Sequence, residues 1–149
     1  MGSQLAALGS NRVLWAAIAG WLAAQLVKML RSLIDNRKLD LSYMVSSGGM
    51  PSAHSALVTA MATAVARIAG LGSPLFAVSA VFASVVMYDA AGVRLAVSMQ
   101  ARILNHMIDD FFHERGLQAK RLRELIGHSP REVLVGALVG IIIGLLFTR

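Results

Sequence analysis

The chain has 149 residues, room for one domain, and 56% of them are hydrophobic against 15% charged; an ordinary soluble domain would carry about a quarter charged, so that class is excluded. With no cysteine, neither a disulfide framework nor a thiolate metal site can form. The net charge of +6 would suit nucleic acid, but the basic residues stand beside apolar segments, where loop orientation and anionic headgroups account for them, and no zinc spacing or aromatic-interleaved basic patch argues for a nucleic-acid partner.

Four apolar blocks follow in chain order, each near the ~20 residues a bilayer requires. The first, residues 13–34, follows Arg12 and closes with Lys28 and Arg31. Basic residues behind the run, and no basic cluster ahead of it, favour a membrane helix over a cleaved secretory signal. A polar segment, residues 35–50, then ends in Ser46-Ser47-Gly48-Gly49-Met50. The second block covers residues 52–71, and Gly70-Leu71-Gly72-Ser73-Pro74 is a turn signal separating it from the third, residues 74–98. In the second polar segment, residues 99–129, Ile103, Met107 and Phe111 recur every four residues, as do Leu104, Ile108 and Phe112. That spacing predicts an amphipathic helix lying on the membrane surface or packed on the bundle. The fourth block, residues 131–147, carries Gly136, Gly140 and Gly144 on one face, a stripe suited to close helix packing. The expected fold is therefore all-α: an integral membrane bundle of about four transmembrane helices plus an amphipathic interfacial helix, forming a single domain over residues 1–149. A homodimer is an option that the small size and the glycine stripe leave open.

With four spans, both polar segments lie on one side of the bilayer. Most lysines and arginines fall there, with Arg12, Arg67 and Arg149 towards the other side. Positive residues favour the cytoplasm, so both polar segments should face it and both termini should lie outside.

Ionisable groups at the membrane edge are costly and usually have a partner or a task. The predicted topology brings Lys28, His54, Asp89, Arg94, His128 and Glu132 to the same end of the bundle. Gly48-Gly49-Met50-Pro51-Ser52-Ala53-His54-Ser55 places a flexible turn and two serines at a helix start, where backbone N–H groups and the helix dipole favour an anion. Gly127-His128-Ser129-Pro130-Arg131-Glu132 repeats the theme, with His128 and Glu132 four apart on one helical face. A carboxylate beside an imidazole can fix its tautomer and stabilise its cation. Two histidines, a carboxylate and two cations beside two helix N-termini suit attack on a phosphate better than on an acyl group, because the anion must be neutralised before a nucleophile approaches.

Pro51-Ser52-Ala53-His54 resembles the Pro-Ser-Gly-His motif of the type 2 phosphatidic acid phosphatase superfamily, which also contains the vanadium-dependent haloperoxidases. His128-Ser129-Pro130-Arg131-Glu132-Val133-Leu134-Val135-Gly136 is similar to its His-x-x-x-Asp-Val-x-x-Gly motif. Together with Met87-Tyr88-Asp89-Ala90-Ala91-Gly92-Val93-Arg94, these segments resemble the divergent bacterial and plant branch of that superfamily, over residues 24–146. The resemblance implies that His128 is a nucleophile forming a phosphohistidine, Glu132 its orienting carboxylate and His54 the general acid. Lys28 and Arg94 would bind phosphate, helped by Ser52 and by Gly49 in the turn ahead of it; Asp89 would orient a neighbouring basic group. No metal or cofactor is implied. The implied substrate is a lipid-linked phosphate monoester or pyrophosphate at the cytoplasmic face of a bacterial inner membrane or plant organellar membrane. Four positions depart from the pattern: Ala53 replaces the motif glycine, Glu132 replaces aspartate, Asp35-Asn36 stands where Arg-Pro follows the lysine, and Leu122 stands where an arginine precedes the histidine, with Arg123 as its local substitute. These departures favour the alternative, a non-enzymatic phospholipid-binding or membrane assembly protein that keeps the anion pocket.

Overall fold

A computed structural model describes residues 2–36, 49–113 and 129–149 of the chain. Its elements are α1 (Gly2–Gly9), α2 (Arg12–Asn36), α3 (Ala53–Ala69), α4 (Pro74–Ala91), α5 (Val93–His113) and α6 (Pro130–Phe147), and no strand occurs among the described residues. The all-helical membrane architecture is as expected. Three helices have the length and apolar content to cross a bilayer, over Arg12–Ile34, Pro74–Ala91 and Pro130–Phe147, while α3 is a shorter apolar helix of 17 residues.

Local chemistry sets the helix ends. Asn11 Oδ1 accepts a hydrogen bond from Leu14 N–H (3.1 Å) where α1 gives way to α2. Ser52 caps α3, accepting from Ser55 N–H at 3.3 Å, and Gly70 closes it in a left-handed conformation (φ 87°) that a side chain would disfavour. Ser73 caps α4 in the same way, with Pro74 in its first turn. Ser129 and Glu132 form a reciprocal capping box at the start of α6.

Two expectations need correction. The third apolar block does not run to Ser98: α4 ends at Ala91, and Gly92 donates to Tyr88 O at 2.8 Å before α5 begins. Arg94 therefore lies in the first turn of the amphipathic helix rather than in a span. The amphipathic helix itself begins at Val93 rather than near Met99. Its apolar residues Val97, Met99, Ile103 and Met107 remain exposed although it packs against α4, which is the pattern of a helix whose apolar face meets the bilayer interface. The short helix α1 has no counterpart in the apolar blocks.

The centre of the bundle is α3, which α2, α4 and α6 surround. Because lipid tails are as apolar as leucine, such helices associate by close backbone approach through small residues. Buried positions are accordingly Ala16, Ala17, Ala24, Ala56, Ala60 and Ala64, while Leu22, Leu26, Val78, Val81 and Phe82 face outward. Gly136, Gly140 and Gly144 lie in turn against Ser52, Ala56 and Ala60, so α6 runs parallel to α3; a Cβ on Gly140 would fall on Thr59 Oγ1 and the Ala56 carbonyl. The glycine stripe thus packs within one chain and does not present a face to a second copy. On the other side Gly20 meets Ala56 and Ala60, and Ala24 clusters with Ala53 and Ala56, so α2 runs antiparallel to α3. At 1.5 Å per residue α3 is only ~25 Å long, short of the ~30 Å hydrocarbon thickness. With 18 residues each, α4 and α6 are hardly longer at ~27 Å, and among the spans only α2, with 25, exceeds that thickness, so the bilayer thins locally or the helix ends reach the interface.

Candidate functional site

The inner face of α2 changes character along its length. It begins with Ala16, Ala17, Gly20 and Ala24 and continues with Gln25, Lys28 and Ser32, all of them buried. Polar groups three and four apart share one face of a helix, so the site end of α2 presents a polar stripe to the bundle. Lys28 is 3% exposed, which rules out a side chain that merely snorkels to the membrane surface. Its ammonium lies near enough to the Glu132 carboxylate for the two charges to attract.

The start of α3 meets the start of α6 opposite this stripe. Ser52 N–H donates to Glu132 O at 3.0 Å, joining the two helix N-termini by a backbone hydrogen bond. Ser52 and Ser55 are fully buried, and Ser55 Oγ donates to Ser52 Oγ at 3.0 Å. Glu132 Oε2 accepts from Ser129 N–H, also at 3.0 Å. One turn deeper, Thr59 Oγ1 lies 3.1 Å from Ala137 O and bridges α3 to α6. Ahead of Ser52 the chain passes through Gly49, whose φ of 88° suits glycine. The result is one buried cation, one carboxylate and two hydroxyls around two joined helix N-termini, where backbone N–H dipoles add positive potential. Such a setting favours an oxyanion.

Of the residues singled out from sequence, Lys28, Ser52 and Glu132 are brought together, with Gly49 three residues ahead of Ser52. His54 lies in the first turn of α3 and is exposed, between buried Ala53 and Ser55. Asp89 is exposed in the last turn of α4, and Arg94 stands two residues past Gly92 in α5. His128 and Arg123 lie outside the described residues. Sequence reasoning passed over Gln25, Ser32 and Thr59; the spacing of 25, 28 and 32 carried the signal, since three polar residues on one stripe of an apolar span face inward together.

Comparison with known proteins places this architecture in a family. A sequence profile of the divergent PAP2 family matches residues 9–143. A protein of Bacillus subtilis (strain 168) named "Uncharacterized membrane protein YuiD" is 44% identical over 148 residues, covering 91% of this chain and 93% of its own. No solved structure gives a significant match. An integral membrane bundle with two serine-capped helix starts meeting beside a buried lysine, matched to that profile over most of its length, belongs to the divergent PAP2 family.

Proposed function

We propose that the protein is a membrane phosphatase acting on a lipid-linked phosphate monoester or pyrophosphate at the cytoplasmic surface, through a phosphohistidine. The observation that carries this reading is Lys28: a lysine 3% exposed, inside an apolar span, beside the joined N-termini of α3 and α6. A buried charge is expensive without a counter-ion or a task, and the groups facing it are those an oxyanion would use.

In this mechanism Lys28 and Arg94 neutralise the phosphate, and Ser52 and the N-terminal backbone N–H groups orient it. A ring nitrogen of His128 attacks phosphorus, an N–P bond forms, and the P–O bond to the leaving group breaks. His54 gives its proton to the departing oxygen and then takes one from the water that cleaves the N–P bond, releasing orthophosphate. Glu132 Oε2 is held by the Ser129 N–H, and its remaining lone pairs serve the imidazole of His128, the residue just before that cap.

A second reading, phospholipid binding without turnover, draws on the same capping box: Glu132 has a structural duty in α6 whether or not it orients a nucleophile. The deciding experiment is phosphate release by the purified, detergent-solubilised protein from a panel of isoprenoid and glycerol lipid phosphates, without added metal. Release that disappears in His128→Ala supports the phosphatase. Silence from every lipid with well-folded protein would favour the binding protein.

A further inference from the structure

Beyond Lys28, the inner face of α2 carries Ser32. Its neighbours Leu30, Leu33 and Ile34 are 59%, 40% and 78% exposed, whereas Ser32 is 5% exposed, so its hydroxyl faces the bundle. Yet among the described residues Ser32 Oγ has no hydrogen-bond partner. A serine or threonine inside a helix ordinarily donates to a carbonyl three or four residues back. Elsewhere in this chain that is the pattern: Thr59 Oγ1 lies 2.7 Å from Ser55 O, and Ser79 Oγ and Ser84 Oγ lie 2.9 Å from Phe76 O and Ala80 O. Ser32 forgoes that bond in a buried position, where an unmet donor is unfavourable.

Its place along α2 explains what could meet it. Lys28 lies near enough to Glu132, in the first turn of α6, for their charges to attract, and α2 continues to Asn36. Four residues further on, Ser32 stands one turn, ~6 Å, past Lys28 on the same inward face, towards the end of the bundle where α3 and α6 begin. A group held by Lys28 in front of those N-termini lies within reach of both side chains.

We propose that the Ser32 hydroxyl is a ligand donor of this site, giving its hydrogen bond to an oxygen of the phosphate whose charge Lys28 neutralises. This rests on the reading that Lys28 faces a phosphate, though not on turnover. The bound oxyanion is either a lipid headgroup or free orthophosphate, which present the same oxygens to the hydroxyl.

The test uses the full chain in detergent, with the thermal midpoint followed against sodium phosphate, sodium chloride of matched ionic strength, and a short-chain diacylglycerol phosphate beside the same diacylglycerol. A ligand that binds the folded state raises the midpoint in proportion to its affinity. Wild type should show a phosphate-specific rise. Ser32→Ala should fold with an unliganded midpoint equal or higher, since an unbonded buried hydroxyl is removed, but bind about tenfold more weakly, the loss of one charge-assisted hydrogen bond. Ser32→Thr, which keeps the hydroxyl, should retain most of the affinity, and Ser84→Ala, at an exposed site, should match wild type. A response to orthophosphate identifies a site for the free anion; a response to the lipid phosphate alone identifies a headgroup site. The proposal is overturned if wild type gives no phosphate-specific rise, if Ser32→Ala binds as wild type does, or if Ser32→Thr loses affinity as fully as Ser32→Ala. A protein that binds phosphate through Ser32 but releases none from any lipid would sink the phosphatase reading alone.

Discussion

Replacing Gly140 with alanine adds one methyl group at the tightest contact between α6 and α3. That methyl would fall on Thr59 Oγ1 and on the Ala56 carbonyl oxygen. The threonine can rotate away, but only by giving up its contact at 3.1 Å with Ala137 O, a bond worth roughly 0.6 kcal/mol between membrane helices. The Ala56 carbonyl is backbone and moves only if the helices separate, so the overpacking cost falls towards the upper part of the usual ~1–3 kcal/mol. Alanine's better helix propensity returns up to ~1 kcal/mol. The expected net loss is about 2 kcal/mol, a fall of ~4–8 °C in Tm for a chain of this size. Circular dichroism of the purified protein in one detergent measures it, with Gly72→Ala as the comparison, since no atom lies within 4 Å of a Cβ there and its Tm should be unchanged. Adding Thr59→Ala to Gly140→Ala should recover part of the loss and leave the share due to Ala56. Equal midpoints for Gly140→Ala and Gly72→Ala would refute the packing of α6 on α3 described above.

Ser129→Ala should cost about 1 kcal/mol by removing the cap of α6, read as a lower Tm. Glu132→Gln keeps an acceptor for Ser129 N–H but takes the counter-charge from buried Lys28, so Tm should fall; phosphate release lost well beyond that of Ser129→Ala assigns Glu132 a part in the reaction, whereas release matching Ser129→Ala confines it to the structure. Cysteines placed singly at Ser47 and Gln118 should resist a membrane-impermeant thiol reagent in intact cells, and ready labelling of both would reverse the proposed orientation.

The all-helical membrane architecture and the order of its apolar helices were legible in the sequence because bilayer thickness demands long apolar runs, and such runs are visible in one dimension. The same holds for the capped helix starts: Ser52, Ser73-Pro74 and Ser129-Pro130 act through local backbone geometry, which needs no knowledge of the rest of the chain. The end of α4 was harder. Gly92 interrupts a hydrophobic run that continues through Val93 and Leu95 to Val97, and apolarity by itself does not tell a span from the apolar face of an interfacial helix. The spacing of His128 and Glu132 suggested a carboxylate serving a histidine, but the bond from Ser129 N–H to Glu132 Oε2 also gives that carboxylate a place in the cap of α6. The glycine stripe announced a close contact without naming its partner. Only the tertiary structure decided that α3 occupies it, that Lys28 is buried rather than snorkelled, and that Gln25 and Ser32 join Lys28 on an inward face. These depend on which helices surround which. In a membrane, hydrophobicity sorts residues towards lipid but does not choose between helix pairs, and that choice rests on the shape fit of small residues brought together from distant parts of the chain.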